Sequence, residues 1–354
     1  MAENMREIYG HQAVNEALDL SLEKHKDVVL IGQGVPDGTQ TYGTTTGLSD
    51  KYGDRVYEMP LSEAGMTGIM MGAALTGLRP VMTFARFEFA LLAMDQIVNQ
   101  AAKWSYMFDG QAHVPLTMRL IIGRGWGQGA QHSQSLHNWF AHIPGLKVVM
   151  PSTPRDLKGL LISSIEDPNP VIFVEHRWLH YNFGPAPEGY YTTSIGKSDF
   201  LLRGNMATVV ASSYMSFEAL KACQNLAQEG IEVELIDLKT IAPLDDSLIL
   251  ESVKKTGRLI VCDQSHFTGN FAGEIIARVC EKALEDLKEP PIRITYPDIP
   301  LPTTKGLANF YFPTVQHIEN AVKKTLGIKV DEPFHAMKAE DFIDIPDKTF
   351  KGPF

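Results

Sequence analysis

Short runs that are apolar at almost every position constrain this chain most. Val28-Val29-Leu30-Ile31, Pro80-Val81-Met82-Thr83-Phe84, Leu116 to Ile122, Leu146 to Met150 and Val171 to Val174 recur between segments of helical length. A strand with one wet face alternates polar and apolar residues, whereas a strand apolar throughout is covered on both faces. The architecture that covers both faces is a mostly parallel sheet flanked by helices, so the first half of the chain reads as an α/β domain. An amphipathic helix near His11 to Lys24, a short strand at Arg55 to Met59, a glycine-rich helical stretch beyond it and a helix from Phe89 to Met107 complete that half. From Trp178 to Ser198 the period lapses around Asn182-Phe183-Gly184-Pro185-Ala186-Pro187-Glu188-Gly189, which reads as a linker over about 178–200. Alternation then resumes with Ala207 to Ala211, a helix from Phe217 to Glu229, Val233 to Ile236, a helix from Leu248, Leu259 to Val261 and a last helix from Val315 to Leu326. The expected layout is an α/β domain over 1–190, a smaller α/β domain over 200–328, and an extension over 329–354 that packs on a surface or a partner.

A length of 354 residues and a hydrophobic content of 44% suffice for two globular cores. The formal net charge of -10, with no Lys/Arg cluster, argues against a nucleic-acid surface. The three cysteines, Cys223, Cys262 and Cys280, form no CxxC pair, and no leader resembles a signal peptide, so a reducing cytoplasm is expected. No apolar run approaches the roughly 20 residues that span a bilayer, so no membrane partner is expected.

Pro60-Leu61-Ser62-Glu63-Ala64-Gly65 places one acid between a strand end and a run of glycines, Gly65, Gly68, Gly72 and Gly77. Each glycine inside a helix costs roughly 1 kcal/mol against alanine, so the run implies close approach by a backbone or a ligand. Glu63 in such a crowded helix start either handles a proton in a poorly solvated pocket or, with Ser62, caps the helix. Phe84, Phe87 and Phe89 sit where a strand passes into a helix; they are core residues or a stacking surface for a flat heterocycle at the carboxyl end of the sheet. Gly123-Arg124-Gly125-Trp126-Gly127-Gln128-Gly129-Ala130-Gln131-His132-Ser133-Gln134-Ser135 forms a glycine loop that does not fit the dinucleotide fingerprint. His132, beside two hydroxyls and two amides, is a structural histidine or a proton shuttle for an anionic or carbonyl substrate. A Walker A loop, HExxH, a GxSxG elbow and metal-ligand spacing are all missing, which disfavours hydrolase and metalloenzyme readings.

Leu61-Ser62-Glu63-Ala64-Gly65, Gly77-Leu78-Arg79-Pro80, Phe89 to Ile97, Ala130 to Ser135 and Pro144 to Val149, in this order, closely resemble the β subunit of thiamine-diphosphate-dependent 2-oxo acid dehydrogenases, nearest the pyruvate and acetoin branch. The resemblance runs from about residue 6 to 327 and implies a transketolase-like pyrimidine-binding domain followed by a transketolase C-terminal-like domain. It implies that Glu63 hydrogen-bonds the cofactor's aminopyrimidine and promotes the tautomer that deprotonates the thiazolium carbon. It places Phe89 and Ala85 against the same cofactor, and His132 in the substrate channel as an aid to acyl transfer. Backbone carbonyls of Leu116, Ser164, Asp167 and Asn169 are implied ligands of a structural K+.

The Gly-Asp-Gly anchor for diphosphate and Mg2+ is missing, since Asp37-Gly38 and Asp109-Gly110 lack the preceding glycine. The resemblance therefore implies that an α subunit supplies that half of the site, in an α2β2 enzyme that decarboxylates a small 2-oxo acid such as pyruvate and passes the acyl group to a lipoyl-bearing dihydrolipoamide acyltransferase. Two departures stand out. Gln33 occupies a position where the family commonly has a glutamate assigned to a proton path between active sites, and the chain continues past Gly327. These departures motivate the alternative of a heteromeric carboligase or acetoin-cleaving enzyme; a non-catalytic scaffolding subunit is a separate alternative, against which the intact Glu63, Phe89 and His132 count.

Overall fold

The apolar runs become neighbouring strands. The computed structural model describes residues 4–38, 40–123 and 128–330; part of the glycine loop and the expected extension from residue 331 lie outside the described residues. The chain divides into two compact units, the first containing Gln131–Ile195 and the residues before Arg124, the second containing residues 128–130 and those from Gly196 onward.

In the first unit, strands pair in the order Lys147–Val149, Val171–His176, Thr117–Ile122, Arg79–Phe84, Val28–Gly32, Val56–Glu58, each pair parallel. Val28–Gly32, Thr117–Ile122 and Val171–His176 are buried along their whole length, which is why their sequences show no alternation. The helices Gly10–Lys24 and Pro154–Glu166 pack together on this sheet, with Ala13, Val14, Ala17, Leu18, Leu157, Leu160 and Leu161 fully buried or nearly so. Pro154 at the start of its helix and the Thr153 hydroxyl, which accepts from the Asp156 N–H at 3.1 Å, set that helix's first turn.

The second unit holds a sheet in the order Ile292–Tyr296, Leu259–His266, Ala207–Ala211, Val233–Asp237, Asp199–Leu202, of which only the pairing of the last strand is antiparallel. The helices Tyr214–Gln228 and Val315–Thr325 bury Ala219, Ala222, Leu226, Ile318 and Val322 against each other and the sheet. Burial pushes the Cys262 thiol well up and the Cys223 thiol to about 12, and both sulfurs are unpaired core atoms.

Three local expectations are corrected. Part of the segment read as an irregular linker, Phe183–Pro187, is a strand that pairs antiparallel with Met5–Tyr9. The run read as one helix from Phe89 changes pitch, from a 3-10 segment Phe87–Ala93 through a π-helical segment Asp95–Ala101 to an α-helix Ala102–Met107. Of the glycines after Glu63 only Gly65 is crowded by this chain, where a Cβ would approach the Ser62 hydroxyl to 2.9 Å; a Cβ on Gly72 or Gly77 would meet no atom within 4 Å among the described residues, and one on Gly68 would only touch Gln96 at 3.8 Å.

Candidate active site

All parallel strands of the first sheet end on the same edge, and the candidate residues follow those ends. Gln33 follows Val28–Gly32, Glu63 lies beyond Val56–Glu58, Ala85 to Phe89 follow Arg79–Phe84, and Gly123 follows Thr117–Ile122. Gly32 must be glycine for this geometry, since a Cβ there would approach the Thr83 carbonyl oxygen to 2.5 Å.

Glu63 opens the helix Glu63–Leu75, whose buried positions are Glu63, Thr67, Met71 and Ala74. That spacing puts all four on one face, so helix geometry itself turns the carboxylate inward, where Glu63 is only 7% exposed. Capping does not account for the pair, because Ser62 makes no side-chain capping bond. Gln33 Nε2 donates to Glu63 Oε1 at 3.5 Å, the long limit of such a bond. Gln33 is steadied in turn by Glu58, whose two carboxylate oxygens accept from the Gly34 N–H at 3.1 and 3.2 Å.

The helix carrying Glu63 packs against the 3-10 segment carrying Phe89. Phe89 and His132 are both half-buried, and their rings lie 5.5 Å apart at 59°. Ala85, four residues before Phe89, is half-buried, its carbonyl accepting from the Tyr42 hydroxyl at 3.3 Å. Tyr42 closes a run of left-handed residues, Gln40, Thr41 and Tyr42, with φ of 45°, 46° and 61°. Non-glycine residues adopt that conformation only where surrounding contacts hold them.

Those contacts come from a charged cluster that the sequence reading missed. Arg119 Nε and Nη2 donate to Glu175 at 2.5 and 2.9 Å, His180 Nε2 lies 2.8 Å from the same carboxylate, and all three side chains are fully buried. Arg119 also donates to Thr83 at 3.2 Å and to Thr44 at 3.0 Å, pinning the loop that carries Tyr42 to the sheet. Burial alone would raise the Glu175 pKa, but the Arg119 charge and the bonds from His180 and Arg119 overcome it and hold the carboxyl down at about 2. Burial lowers the pKa of His180 despite that carboxylate. The signal was present in the sequence: Arg119 and Glu175 are single charges inside otherwise apolar strands, and such charges need partners.

Leu116, Ser164, Asp167 and Asn169 are brought together at the end of Pro154–Glu166. The Thr117 hydroxyl donates to the Ser164 carbonyl at 2.9 Å, the Val171 N–H to the Leu116 carbonyl at 3.0 Å, and the Asn169 N–H to Asp167 Oδ1 at 2.9 Å. Lys147 forms an ion pair with Asp167, so that carboxylate already has a cation. Among the described residues no group of three or more His, Cys, Asp or Glu side chains could hold a metal ion.

For a thiamine cofactor the fit is good at the pyrimidine end: a buried carboxylate, a half-exposed aromatic face and an imidazole suit a flat nitrogen heterocycle.

Comparison with known proteins shows the family and the fold. Residues 6–181 match the family model of the transketolase pyrimidine-binding domain, and residues 196–318 that of the transketolase C-terminal domain. The β subunit of acetoin:2,6-dichlorophenolindophenol oxidoreductase from Cupriavidus necator is 41% identical over 324 residues, covering 89% of this chain and 96% of that one. The mitochondrial pyruvate dehydrogenase E1 component subunit β of Homo sapiens is 39% identical over 322 residues, covering 89% of this chain and 90% of that one. A solved structure titled as a split gene transketolase, inactive β4 tetramer, superposes with a TM-score of 0.74 over 91% of this chain and 100% of the other; at 20% identity it supports the fold alone.

Proposed function

We propose that this chain, which belongs to the family of pyruvate dehydrogenase and acetoin oxidoreductase β subunits built from transketolase pyrimidine-binding and C-terminal domains, is the β half of a thiamine-diphosphate-dependent 2-oxo acid dehydrogenase. The observation that carries the reading is Glu63, a carboxylate turned inward by its helix position and packed beside the segment that bears Phe89. The substrate on this reading is a small 2-oxo acid such as pyruvate, and the acyl group passes to a lipoyl-bearing acyltransferase.

When bound, thiamine diphosphate supplies the carbanion chemistry that decarboxylation requires. Glu63 would hold a proton against the pyrimidine ring, Phe89 and Ala85 would orient that ring, and His132 would exchange a proton with substrate or acceptor. Burial suits Glu63 to this task, because a carboxylate shielded from water can keep a hydrogen bond to a bound heterocycle without competition from solvent. An α subunit in an α2β2 assembly would supply the diphosphate anchor and Mg2+, for which this sequence has no Gly-Asp-Gly motif. Potassium at the carbonyls of Leu116, Ser164, Asp167 and Asn169 belongs to the same proposal; it predicts that potassium chloride, but not choline chloride, raises the melting temperature. No helix among the described residues is long and apolar enough to cross a membrane, and unpaired Cys223, Cys262 and Cys280 suit a reducing compartment such as the cytoplasm.

The relatives are named as dehydrogenase or oxidoreductase subunits, which does not favour the carboligase reading. The test is purification of the chain together with its α partner, followed by cofactor analysis and assays with pyruvate and with acetoin. Stoichiometric thiamine diphosphate and pyruvate-dependent acylation of a lipoyl domain are expected. Bound cofactor with cleavage of acetoin alone would overturn the substrate assignment, and no turnover with any acceptor would support a scaffolding subunit instead.

A further inference from the structure

Arg86, Phe87, Glu88 and Phe89 leave the strand Arg79–Phe84 in succession, and each makes a different contact. Phe87 is fully buried, its ring 5.4 Å from that of Phe140, and anchors the turn in the core. Arg86 Nη2 donates to the Gly123 carbonyl at 2.6 Å, on the N-terminal side of His132. Glu88 Oε1 accepts from the Gln134 N–H at 2.6 Å, on its C-terminal side. Phe89 meets the His132 ring itself at 5.5 Å.

We propose that Arg86 and Glu88 are positioning residues that staple the chain on both sides of His132, and so hold its imidazole against Phe89. The proposal rests on reading Phe89 and His132 as parts of the thiamine site. Both bonds are short and involve charged groups, the class of hydrogen bond with the largest net worth. The Glu88 bond falls two residues from His132, and the Arg86 bond falls on the glycine that follows the strand Thr117–Ile122. Gly123 is also shaped for its bond: its φ is 100°, and a Cβ there would meet the His176 ring at 2.7 Å, so only glycine presents this carbonyl to Arg86. Burial raises the Glu88 pKa, while its bond from Gln134 and the charges of Arg86 and His132 oppose the rise.

The staple acts through His132, which separates it from general stabilisation. The first experiment is hydrogen–deuterium exchange on the full chain, and it needs no activity. Glu88→Ala is expected to raise exchange around Gln134 by about tenfold, Arg86→Met added to it to raise exchange further, and Glu88→Gln, which keeps an acceptor oxygen, to change it by less than about threefold. Unchanged exchange in Glu88→Ala overturns the staple; if that variant does not fold, Arg86→Met alone makes the same comparison. The second experiment is a double-mutant cycle in the enzyme reconstituted with its α subunit. Glu88→Ala is expected to slow acyl transfer to a lipoyl domain about tenfold in the wild-type background and much less in a His132→Ala background. Equal losses in both backgrounds would contradict action through His132. A wild-type enzyme without turnover would refute the function proposed above, while the exchange measurement would still decide the staple.

Discussion

Gln33 places its amide nitrogen 3.5 Å from the Glu63 carboxylate, so the side chain that donates to the candidate catalytic acid carries no charge. An amide there can donate to the carboxylate, whereas a second acid would repel it. Two like charges about 4 Å apart repel by about 4 kcal/mol at an effective dielectric near 20. Gln33→Glu is therefore predicted to favour the protonated form of the pair and to move the acid limb of the kcat/KM profile towards higher pH by about one unit or more. A pH–rate profile of the assembled enzyme checks it; an unmoved acid limb would mean that the two side chains do not meet in the working enzyme.

The Arg119–Glu175–His180 cluster predicts how the first unit responds to acid and to truncation. Glu175 and His180 both bind fewer protons folded than unfolded, so stability falls as pH falls. The His180 contribution starts to be lost below its ordinary value of 6.5, and the Glu175 contribution below 4.5 and down through about 2. Arg119→Met leaves the buried carboxylate without its charged partner, with only the bond to His180, and should cost about 3–5 kcal/mol at neutral pH. Urea unfolding of the wild type and Arg119→Met at pH 7 and pH 5 measures both effects; a loss below about 1 kcal/mol at pH 7 would show that the cluster does not hold the loop.

Two glycines predict opposite signs for the same substitution. Gly145 has φ of 100°, and a Cβ there would lie 1.8 Å from the Ala102 carbonyl oxygen, so Gly145→Ala forces backbone apart and is expected to cost about 3 kcal/mol or more. Gly72 sits inside the Glu63–Leu75 helix with open space at its Cβ, so Gly72→Ala is expected to stabilise the isolated chain by up to about 1 kcal/mol. Thermal unfolding of the two variants decides the matter, and a destabilised Gly72→Ala would contradict it.

The sheet of the first unit was legible because burial on both faces erases alternation, as in Val28–Gly32 and Val171–His176. The pairing of Met5–Tyr9 with Phe183–Pro187 was not, because the glycine and prolines of Phe183–Pro187 read as linker and Met5–Tyr9 buries only Ile8. Glu63 was legible from its place between a strand end and a glycine-rich helix, although Gly68, Gly72 and Gly77 did not mark crowding among the described residues. Arg119, Glu175 and His180 could not be joined from sequence, since their contacts depend on which strands become neighbours. The same holds for Arg86 and Glu88, whose partners Gly123 and Gln134 lie in another loop.

The most direct measurement is the rate of 2-oxo acid decarboxylation by Glu63→Gln assembled with the α subunit, alongside size-exclusion chromatography and bound-cofactor content. Glutamine keeps the shape of the side chain but cannot exchange the proton, so turnover should fall about a hundred- to ten-thousand-fold with assembly intact. Turnover within about threefold of the wild type would contradict a proton-handling role for Glu63, and with it the assignment of this site.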